Sequence, residues 1–463
     1  MIEFYHKHFK SNYTTKIKQL IVDIERLLDL EGISVDSVFK EVLNPQFKLN
    51  LNESLWKRVN CLYSTLYRNS SKISNTLAKF INKTAQPKKK YRFVDTFAGC
   101  GGLSLGVSRA GFNPVLVNEI EPKFLETYYF NHDLHIDNYK CCDIKELTAL
   151  ESLTTDDLQD LDLVVGGPPC QGFSMANRQR VIDDPRNKLY KYFLELLSLS
   201  RPKFFIMENV KGMINKSEEI IDNFTSTLGS EYSIDIVLLN AKDYGVPQNR
   251  ERGFVIGSRV KAHSASNIIS SILKDKKEVV TLNESIFDLP ILEPKTEKNT
   301  RGLENEKIGY KFTKIKTVRS KFSRSLGSVN IEYLSNHINR YNNNRDVEIF
   351  SRLPQGCNSL HESISDIMPY SNRNHMFKDK YFKLDAGKPS KTITSHMKFD
   401  CNMYIHPTQS RGLSPREAAR VQTFPDDYVF MGANNSWYAQ IGNAVPVSLA
   451  ETIASNIMQR LKK

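Results

Sequence analysis

The chain has 463 residues, of which 40% are hydrophobic, enough for two or three domains and a large core. Its net charge of +12 favours a polyanionic partner such as nucleic acid. No apolar run reaches the length of a membrane span, no signal peptide opens the chain, and the seven cysteines include no CxxC pair. We therefore expect a cytoplasmic protein with no metal, and neither a membrane protein nor a secreted disulfide scaffold.

The basic charge is concentrated in two regions. Residues 1–90 carry 16 Lys and Arg against 8 Asp and Glu, and residues 301–325 carry 8 against 2. Residues 14–30 and 52–69 place apolar side chains at helical spacing, and a lysine-rich linker follows them. We predict an N-terminal helical extension over residues 1–87, with DNA contact and packing or dimerisation equally open as its role.

From Tyr91 the pattern changes to strands that alternate with helices. Six short apolar runs read as strands, at 91–97, 114–119, 161–165, 202–210, 233–241 and 252–258. This alternation predicts an α/β fold with a doubly wound, mostly parallel sheet, in a catalytic domain over residues 88–280.

The texture changes again after residue 280. Residues 281–400 are rich in Asn, Ser and Lys without a clear period, and they are too many for a loop in a compact domain. We predict a small, irregular second domain there. Residues 401–463 then return to the catalytic domain, through a helix capped by Ser414 and a C-terminal amphipathic helix.

The turn after the first predicted strand has the composition of a nucleotide site. In FAGCGG (97–102) the glycines let a ligand approach the backbone at a helix N-terminus, although Ser104 stands where a GxGxxG fingerprint has its third glycine. Glu119 ends the second strand, where a carboxylate can bind ribose hydroxyls. Asp143 suits an adenine amino group and a helix cap equally well. These residues fit NAD as well as S-adenosylmethionine, and a tight turn with a surface glutamate is the structural alternative.

GGPPCQGFS (166–174) places a cysteine immediately after a buried strand. Pro168 and Pro169 end that strand because they lack backbone donors, and the glycines allow a ligand to come close. Free cysteine is most often simply buried. At the carboxyl end of a strand, however, Cys170 would lie where open α/β sheets bind their ligands, and it is a candidate nucleophile.

A second group of polar residues completes a reaction. Glu208 ends the next strand, so its carboxyl would face the same crevice, partly buried and able to donate a proton, unless it is a surface acid. Gln248, Arg250 and Arg252 stand at alternate positions in QNRER. In an extended segment they would point to one side, where the arginines suit phosphates and carbonyl oxygens. The alternative is an exposed polar loop. A thiolate that adds at C6 of cytosine, with an acid at N3, makes C5 nucleophilic toward a sulfonium methyl donor. The base must first be flipped out of its duplex.

The ordered motifs resemble those of the DNA (cytosine-5) methyltransferases of bacterial restriction–modification systems. The match covers roughly 91–260 and 385–450 and rests on FVDTFAGCGG, NEIEP, CDI, GGPPCQGFS, ENV, QNRER, REAARVQTFP and QIGNAVP. The resemblance implies a Rossmann-like methyltransferase sheet, Cys170 as the nucleophile and Glu208 at N3. Arg250 and Arg252 would hold the flipped cytosine and its backbone, with Arg252 at the base carbonyl. The implied S-adenosylmethionine site consists of Phe97, Ala98, Gly99, Gly101, Glu119, Ile120, Asp143, Ile144, Pro168 and Asn443.

The resemblance also makes residues 281–400 a target-recognition domain, closed by KPSKTITSHM (388–397), with double-stranded DNA as the partner. It implies a monomer, a possible cognate restriction endonuclease, and a structural role for REAARVQTFP. Surface pairing of Arg416, Glu417 and Arg420 is the alternative for that helix. Ile120 departs from the aromatic residue common in the family, and Cys141-Cys142 departs from its usual glycine.

Three other functions compete with DNA cytosine-5 methylation as an interpretation of this sequence. An NAD-dependent dehydrogenase would leave Cys170 and Glu208 unused. A tRNA-methylating relative would carry a Cys-Phe-Thr stretch in its recognition domain, and the sequence has none. A catalytically silent DNA-binding regulator would not need the full set of chemical residues that this chain carries.

Overall fold

The fold is described from a computed structural model. It describes residues 90–132, 134, 138–149, 158–169, 189–298, 305–314, 320–327, 333–369 and 380–462. The predicted extension over 1–87 lies outside the described residues, and so does Cys170.

Strands and helices alternate through the first half of the described chain. Their bounds are β1 Arg92–Thr96, α1 Gly102–Arg109, β2 Asn113–Asn118, α2 Pro122–Asn131, β3 Tyr139–Lys140, α3 Ile144–Ala149, β4 Leu163–Gly166, α4 Leu189–Ser200, β5 Phe204–Val210, α5 Ser217–Leu228, β6 Ser233–Asn240, β7 Gln248–Asn249, β8 Glu251–Ser258 and α6 Ala265–Lys274.

Short elements follow, and then three helices. Their bounds are α7 Leu282–Ile286, β9 Gly309–Lys314, α8 Lys321–Ser325, β10 Tyr333–Ile338, α9 Asn344–Arg352, β11 Ser390–Lys391, α10 Pro415–Val421, α11 Asn434–Asn443 and α12 Val447–Leu461. Single 3₁₀ turns are formed by Lys211–Lys216, Ala241–Tyr244, Glu362–Ile364 and Ser395–Lys398. No helix of the described part is long and apolar enough to cross a membrane.

Seven strands form one sheet in the order β3-β2-β1-β4-β5-β8-β6. Strands β1 to β5 pair with one another in parallel, whereas β8 runs antiparallel to both β5 and β6. The predicted doubly wound, mostly parallel sheet is confirmed. Its strand order reverses between β1 and β4, and a reversal of this kind opens a crevice at the carboxyl ends of the strands. The turn after β1 and the loop after β4 both lead into that crevice.

Apolar side chains cover both faces of the sheet, which explains why its strands read as continuous hydrophobic runs. Val165 and its neighbours pack under α1, α6 and α12, and Val164 packs on the opposite face with α4 and α5. Helices α1 and α12 come very close at Gly106, where a Cβ would stand 2.6 Å from the main chain of Val447 and Glu451. The C-terminal helix is therefore seated directly on the sheet.

The described parts of residues 281–400 contain short helices and strands, and buried apolar side chains of these parts lie in two hydrophobic clusters. Strands β9 and β10 form an antiparallel pair, and β11 pairs in parallel with β7. Helix α7, strand β10 and Met397 share one hydrophobic cluster with α10 and α11. A small separate cluster surrounds α9. The described parts of this segment thus pack on the helices that follow it and pair with strand β7.

Candidate active site

The turn after β1 is shaped for close approach of a ligand. Phe97, Gly99 and Gly101 have φ values of 56°, 56° and 90°. A side chain at Gly99 would meet no atom within 4 Å, so the turn faces open space there. A Cβ at Gly101 would overlap His132 and Tyr428. The left-handed backbone and the crowding together explain the glycines of FAGCGG, and Phe97 holds a strained conformation of the kind found at binding sites.

Glu119 joins the end of β2 to this turn. Its carboxylate accepts hydrogen bonds from the N–H groups of Gly99 at 2.7 Å and Glu121 at 2.8 Å. The side chain is 7% exposed, and burial raises its pKa. The structure therefore brings the acid to the glycine turn as the sequence predicts, and its surface alternative is wrong.

A buried polar pair supports the turn from below. Ser104 donates to the Asp95 carboxylate at 2.5 Å and accepts from the Tyr128 hydroxyl at 2.8 Å. Asp95 has no exposed surface, and burial raises its pKa to about 8. Ser104 thus replaces the third glycine of a dinucleotide fingerprint with a hydroxyl that binds a strand carboxyl.

The loop after β3 carries Asp143. Its carboxylate accepts from the N–H of Lys145 at 3.0 Å, so the residue does cap α3. The Asn118 amide fixes the loop by donating to the carbonyls of Lys140 and Cys142 at 3.2 and 2.9 Å. Capping leaves Asp143 at the edge of the crevice, half-buried.

The remaining predicted donor-site residues differ in exposure. Ile120 is 62% exposed, whereas Ala98 and Ile144 are 8% and 2% exposed. Pro168 is buried, and its carbonyl accepts from the Asn209 amide at 3.0 Å. Asn443 is exposed at the end of α11. An exposed aliphatic side chain at a crevice edge is consistent with a cover for a flat ring.

Glu208 and Arg252 form the charged pair of the crevice. Nε of Arg252, on β8, lies 3.0 Å from Oε1 of Glu208, on β5, and the two side chains are 16% and 13% exposed. Oε2 of Glu208 lies 3.2 Å from the position that a Cβ would take at Gly167. The glycine thus leaves room for the carboxylate three residues before Cys170 in the sequence. The surface-acid alternative for Glu208 is wrong.

Arg250 lies in the interior. Its side chain is 1% exposed, and its guanidinium donates to the carbonyls of Ile393 at 2.7 Å, Gly442 at 3.3 Å and Ala444 at 3.1 Å. Burial lowers its pKa. The exposed-loop alternative for this segment is wrong at Arg250 and at Gln248, which has no exposed surface. Arg252 is the arginine that the structure places against Glu208.

Helix α10 carries three charged residues for which the sequence left two interpretations, a structural role and pairing on the surface. Arg416, Glu417 and Arg420 are at most 1% exposed, so surface pairing is wrong. Ser414 caps the helix in a capping box with Glu417, as predicted for its N-cap. Glu417 also binds Arg411 through two bonds of 2.6 and 2.7 Å. Burial opposes ionisation, but the Arg411 guanidinium lowers the pKa of Glu417 far below its usual value.

The two arginines of α10 reach into the irregular segment. Arg416 donates to the carbonyl and hydroxyl of Ser335 on β10. Arg420 binds Asp426 bidentately and also contacts Asp288 and the carbonyl of Ser285. The helix therefore ties residues 281–400 to the C-terminal part of the chain.

Sequence reasoning missed a cavity of about 400 Å³ where β7 and β11 meet. Its lining residues are Asn249, Lys391, Thr392, Thr394, His396, Met403 and Tyr404. Nζ of Lys391 lies 4.8 Å from the ring centroid of Phe382 and 5.9 Å from that of Tyr404. A signal was available in Lys391, Thr392 and Thr394, which stand close together in KPSKTITSHM. Among the described residues, no group of three or more His, Cys, Asp or Glu could hold a metal ion.

Comparison with known proteins assigns the family. Residues 91–459 match the family model of the C-5 cytosine-specific DNA methylases. The chain belongs to this family. It is 33% identical to Type II methyltransferase M.DdeI of Desulfomicrobium norvegicum over 395 residues, which cover 79% of this chain and 88% of that protein. It is 34% identical to Type II methyltransferase M1.HphI of Haemophilus parahaemolyticus over 376 residues, which cover 79% and 86%.

A solved structure agrees with the family assignment. The protein, described as a DNA modification methyltransferase encoded within an E. coli prophage, matches 81% of this chain and 100% of its own, with a TM-score of 0.63 and 26% identity. The chain is a DNA (cytosine-5) methyltransferase with the Rossmann-like fold of that class. The dehydrogenase alternative is wrong, because the family transfers a methyl group.

Proposed function

We propose that this methyltransferase marks one short sequence in double-stranded DNA at C5 of cytosine and acts through Cys170 and Glu208 on a flipped base. The observation that carries the proposal is the Glu208–Arg252 pair, which lies beside Gly167, three residues before Cys170 in the sequence. A crevice with a carboxyl and a guanidinium suits a planar ring that has both a ring nitrogen and a carbonyl oxygen.

The proposed chemistry assigns one task to each side chain. The Cys170 thiolate forms a bond to C6, and Glu208 holds N3 and supplies the proton that the ring nitrogen takes up. Arg252 orients the Glu208 carboxyl and donates to the base carbonyl. S-adenosylmethionine, when bound, supplies an electrophilic methyl group to C5. A water molecule or another base then takes the C5 proton, the electrons of that bond expel the thiolate, and N3 returns its proton to Glu208, which restores the aromatic ring and frees Cys170.

The residues after β1 and β2 fit S-adenosylmethionine. Gly99 opens onto free space, Ile120 presents an exposed apolar surface, and Asn443 is exposed at the C-terminus of α11. In the proposed site the main chain of 97–101 contacts the amino acid part, Glu119 binds the ribose hydroxyls and Asp143 accepts from the adenine amino group. Capping of α3 by Asp143 holds its carboxylate in place for that contact.

The recognition region supplies the remaining contacts in this proposal. Residues 301–325 carry eight basic residues, and Lys321 is exposed on α8. These side chains grip phosphates, while base edges are read by other residues of 281–400. Charge reversal at Lys314, Lys316 and Lys321 should weaken DNA binding. The slope of log K against the logarithm of the salt concentration should become shallower by about 0.9 for each phosphate contact that is lost. Unchanged affinity and an unchanged salt slope would remove these lysines from the interface.

The direct test is methylation mapping. The purified protein is incubated with unmethylated genomic DNA and S-adenosylmethionine, and methylation is read at base resolution. The proposal predicts 5-methylcytosine in one short sequence context. No mark, from protein that binds both DNA and donor, would contradict it and direct the same assay to tRNA.

We further propose that the protein acts as a monomer and protects host DNA against a cognate restriction endonuclease. The relatives named as type II methyltransferases support that setting. Genomic DNA isolated from cells that express the protein should resist one endonuclease whose site contains the mapped sequence. DNA that is fully methylated at this sequence and is still cut by every enzyme with that site would contradict a protective role.

A further inference from the structure

Three buried polar side chains lie between the crevice, the recognition region and the C-terminal helices. We call Gln248, Arg250 and Gln422 the amide–guanidinium cluster. Each is at most 1% exposed. The Gln248 amide donates to Oε1 of Gln422 at 2.9 Å, so two members bind each other directly. A buried polar network of this kind restricts the movement of the segments that it joins, and here, among the side-chain nitrogen and oxygen atoms of the cluster, only Nε of Arg250 has no hydrogen-bond partner in the described residues.

The cluster binds the turn around Asn443 from two directions. Arg250 donates to the carbonyls of Gly442 and Ala444, and the Gln422 amide donates to those of Ile441 at 2.8 Å and Ala444 at 3.3 Å. Asn443, a predicted donor-site residue, lies between these carbonyls. Any shift of its main chain must therefore strain bonds to Arg250 or Gln422.

The same cluster binds the segment that closes the recognition region. Oε1 of Gln248 accepts from the N–H of Ile393 at 2.7 Å, and Arg250 donates to the carbonyl of the same residue. Gly442 packs so tightly here that a Cβ would stand 2.2 Å from the carbonyl carbon of Thr394. The turn around Asn443 and the segment at Ile393 and Thr394 are thus joined by the cluster's hydrogen bonds and by a direct main-chain contact.

We propose that Gln422 is a positioning residue that couples donor binding at Asn443 to DNA binding by the recognition region. The proposal rests on the function proposed above. Through Gln248 and Arg250 the coupling also reaches the strand start at Glu251–Arg252, which presents Arg252 to Glu208. Donor and target DNA then favour the same arrangement of three chain segments, and each tightens the binding of the other.

The test measures binding without turnover. The probe is S-adenosylhomocysteine, and its dissociation constant is measured with and without a saturating duplex that contains the mapped target. For the unaltered protein we expect the duplex to tighten binding between about 5- and 150-fold. Gln422→Met keeps the volume of the side chain but removes its polar atoms, and the tightening should fall to about twofold or less. The same factor must be found when duplex affinity is measured with and without S-adenosylhomocysteine, since coupling is reciprocal.

Gln440→Met is the matched control. Gln440 is also 1% exposed, but its amide donates to the carbonyl of Met431 and the hydroxyl of Ser436, away from Gln248 and Ile393. This variant should lose thermal stability and keep the coupling factor. Gln248→Met, which removes the bond to Ile393, serves where Gln422→Met does not fold, and it should lower the factor in the same way.

Two results would overturn the proposal. One is an unchanged factor in a folded Gln422→Met or Gln248→Met protein, and the other is an equal loss in Gln440→Met. An unaltered protein that methylates DNA but binds duplex and S-adenosylhomocysteine independently would also overturn it, while the proposed function stands. An unaltered protein that methylates no DNA would instead defeat the proposed function, which the mapping experiment reports separately.

Discussion

The crevice at the carboxyl edge of the sheet and helix α10 both carry charged residues in short, recognisable motifs, yet they use those charges differently. In α10, Arg416, Glu417 and Arg420 are buried and bound to partners that include residues from six to 81 positions away along the chain. In the crevice, Glu208 pairs with Arg252 and remains 13% exposed. Charges that are fully buried and bound stabilise the fold, whereas a partly exposed charge in the crevice is available to a substrate.

The glycine turn extends this contrast. Gly99 faces open space, and Phe97 is held at a positive φ. The protein thus keeps a glycine that faces open space at the crevice, whereas the charged side chains of α10 are buried and bound. Substitutions should therefore affect turnover in the first region and folding in the second.

The largest effect should come from Cys170→Ser, because a hydroxyl is a much weaker nucleophile than a thiolate at neutral pH. We expect turnover to fall by more than about 10⁴-fold, with DNA and donor binding retained. The measurement is methyl transfer from labelled S-adenosylmethionine to the mapped duplex. Cys357→Ser, at a half-buried thiol of the recognition region, is the control and should stay active. A tenth of the original activity in Cys170→Ser would remove the thiol from the mechanism.

Glu208→Gln should have the next largest effect. The amide keeps the shape of the carboxyl but cannot supply the proton for N3, so the chemical step should slow by ~10²–10⁴-fold. A single-turnover measurement at saturating DNA and donor isolates that step. Glu218→Gln, an exposed change on α5, is the matched control. An unchanged rate in Glu208→Gln would place the acid elsewhere and end the contrast between the two regions.

Arg420→Leu tests the other side of the comparison. Loss of this guanidinium leaves Asp426, which has no exposed surface, without its bidentate partner. Breaking a buried pair costs about 3–5 kcal/mol, so the free energy of unfolding in urea should fall by about that amount. Arg352→Leu, which breaks an exposed pair with Asp366, should change stability little. A folded Arg420→Leu protein of normal stability that has lost its methylation rate would give α10 a chemical role.

Asp95 provides a smaller, pH-dependent test. Burial raises its pKa from 3.8 to about 8, so between these values the folded chain holds a proton that the unfolded chain has lost. Raising the pH through this window should therefore lower the free energy of unfolding, by up to about 1.4 kcal/mol per pH unit. Asp95→Asn cannot ionise, and urea unfolding from pH 5 to 8 should show that this slope has gone. Asp222→Asn, an exposed change on α5, should leave the slope in place. Equal slopes in Asp95→Asn and the unaltered protein would contradict the buried, protonated carboxyl.

The sequence predicted the parts of the fold that depend on local pattern. Continuous apolar runs predicted six strands. The glycines of FAGCGG and the position of Glu119 predicted a turn and an acid at one site, and the structure joins them by a hydrogen bond. The two-residue strand β3 gave no pattern of its own, and β7 was placed only within the QNRER motif. The antiparallel direction of β8 depends on pairings that no local pattern contains.

Burial of charge could not be predicted, because it depends on partners far along the chain. Arg250 binds carbonyls 143 to 194 residues away, and nothing in QNRER distinguishes it from Arg252. Arg416 and Arg420 have helix-surface spacing, and only their tertiary contacts with Ser335 and Asp288 make them interior residues. The sequence could not decide between a helix cap and an adenine contact for Asp143, because both roles require a carboxylate at the start of α3.

The proposed function depends most on one step, in which the Cys170 thiolate forms a covalent bond to C6 of a flipped cytosine. It is tested most directly with a duplex that carries 5-fluorocytosine at the mapped position, in the presence of S-adenosylmethionine. Fluorine cannot leave C5 as the proton does, so the enzyme should remain attached to the DNA. We predict a complex that survives denaturation and whose peptide map places the nucleotide on Cys170. Normal methylation of the unmodified duplex together with no covalent complex, or with attachment at another cysteine, would contradict the account.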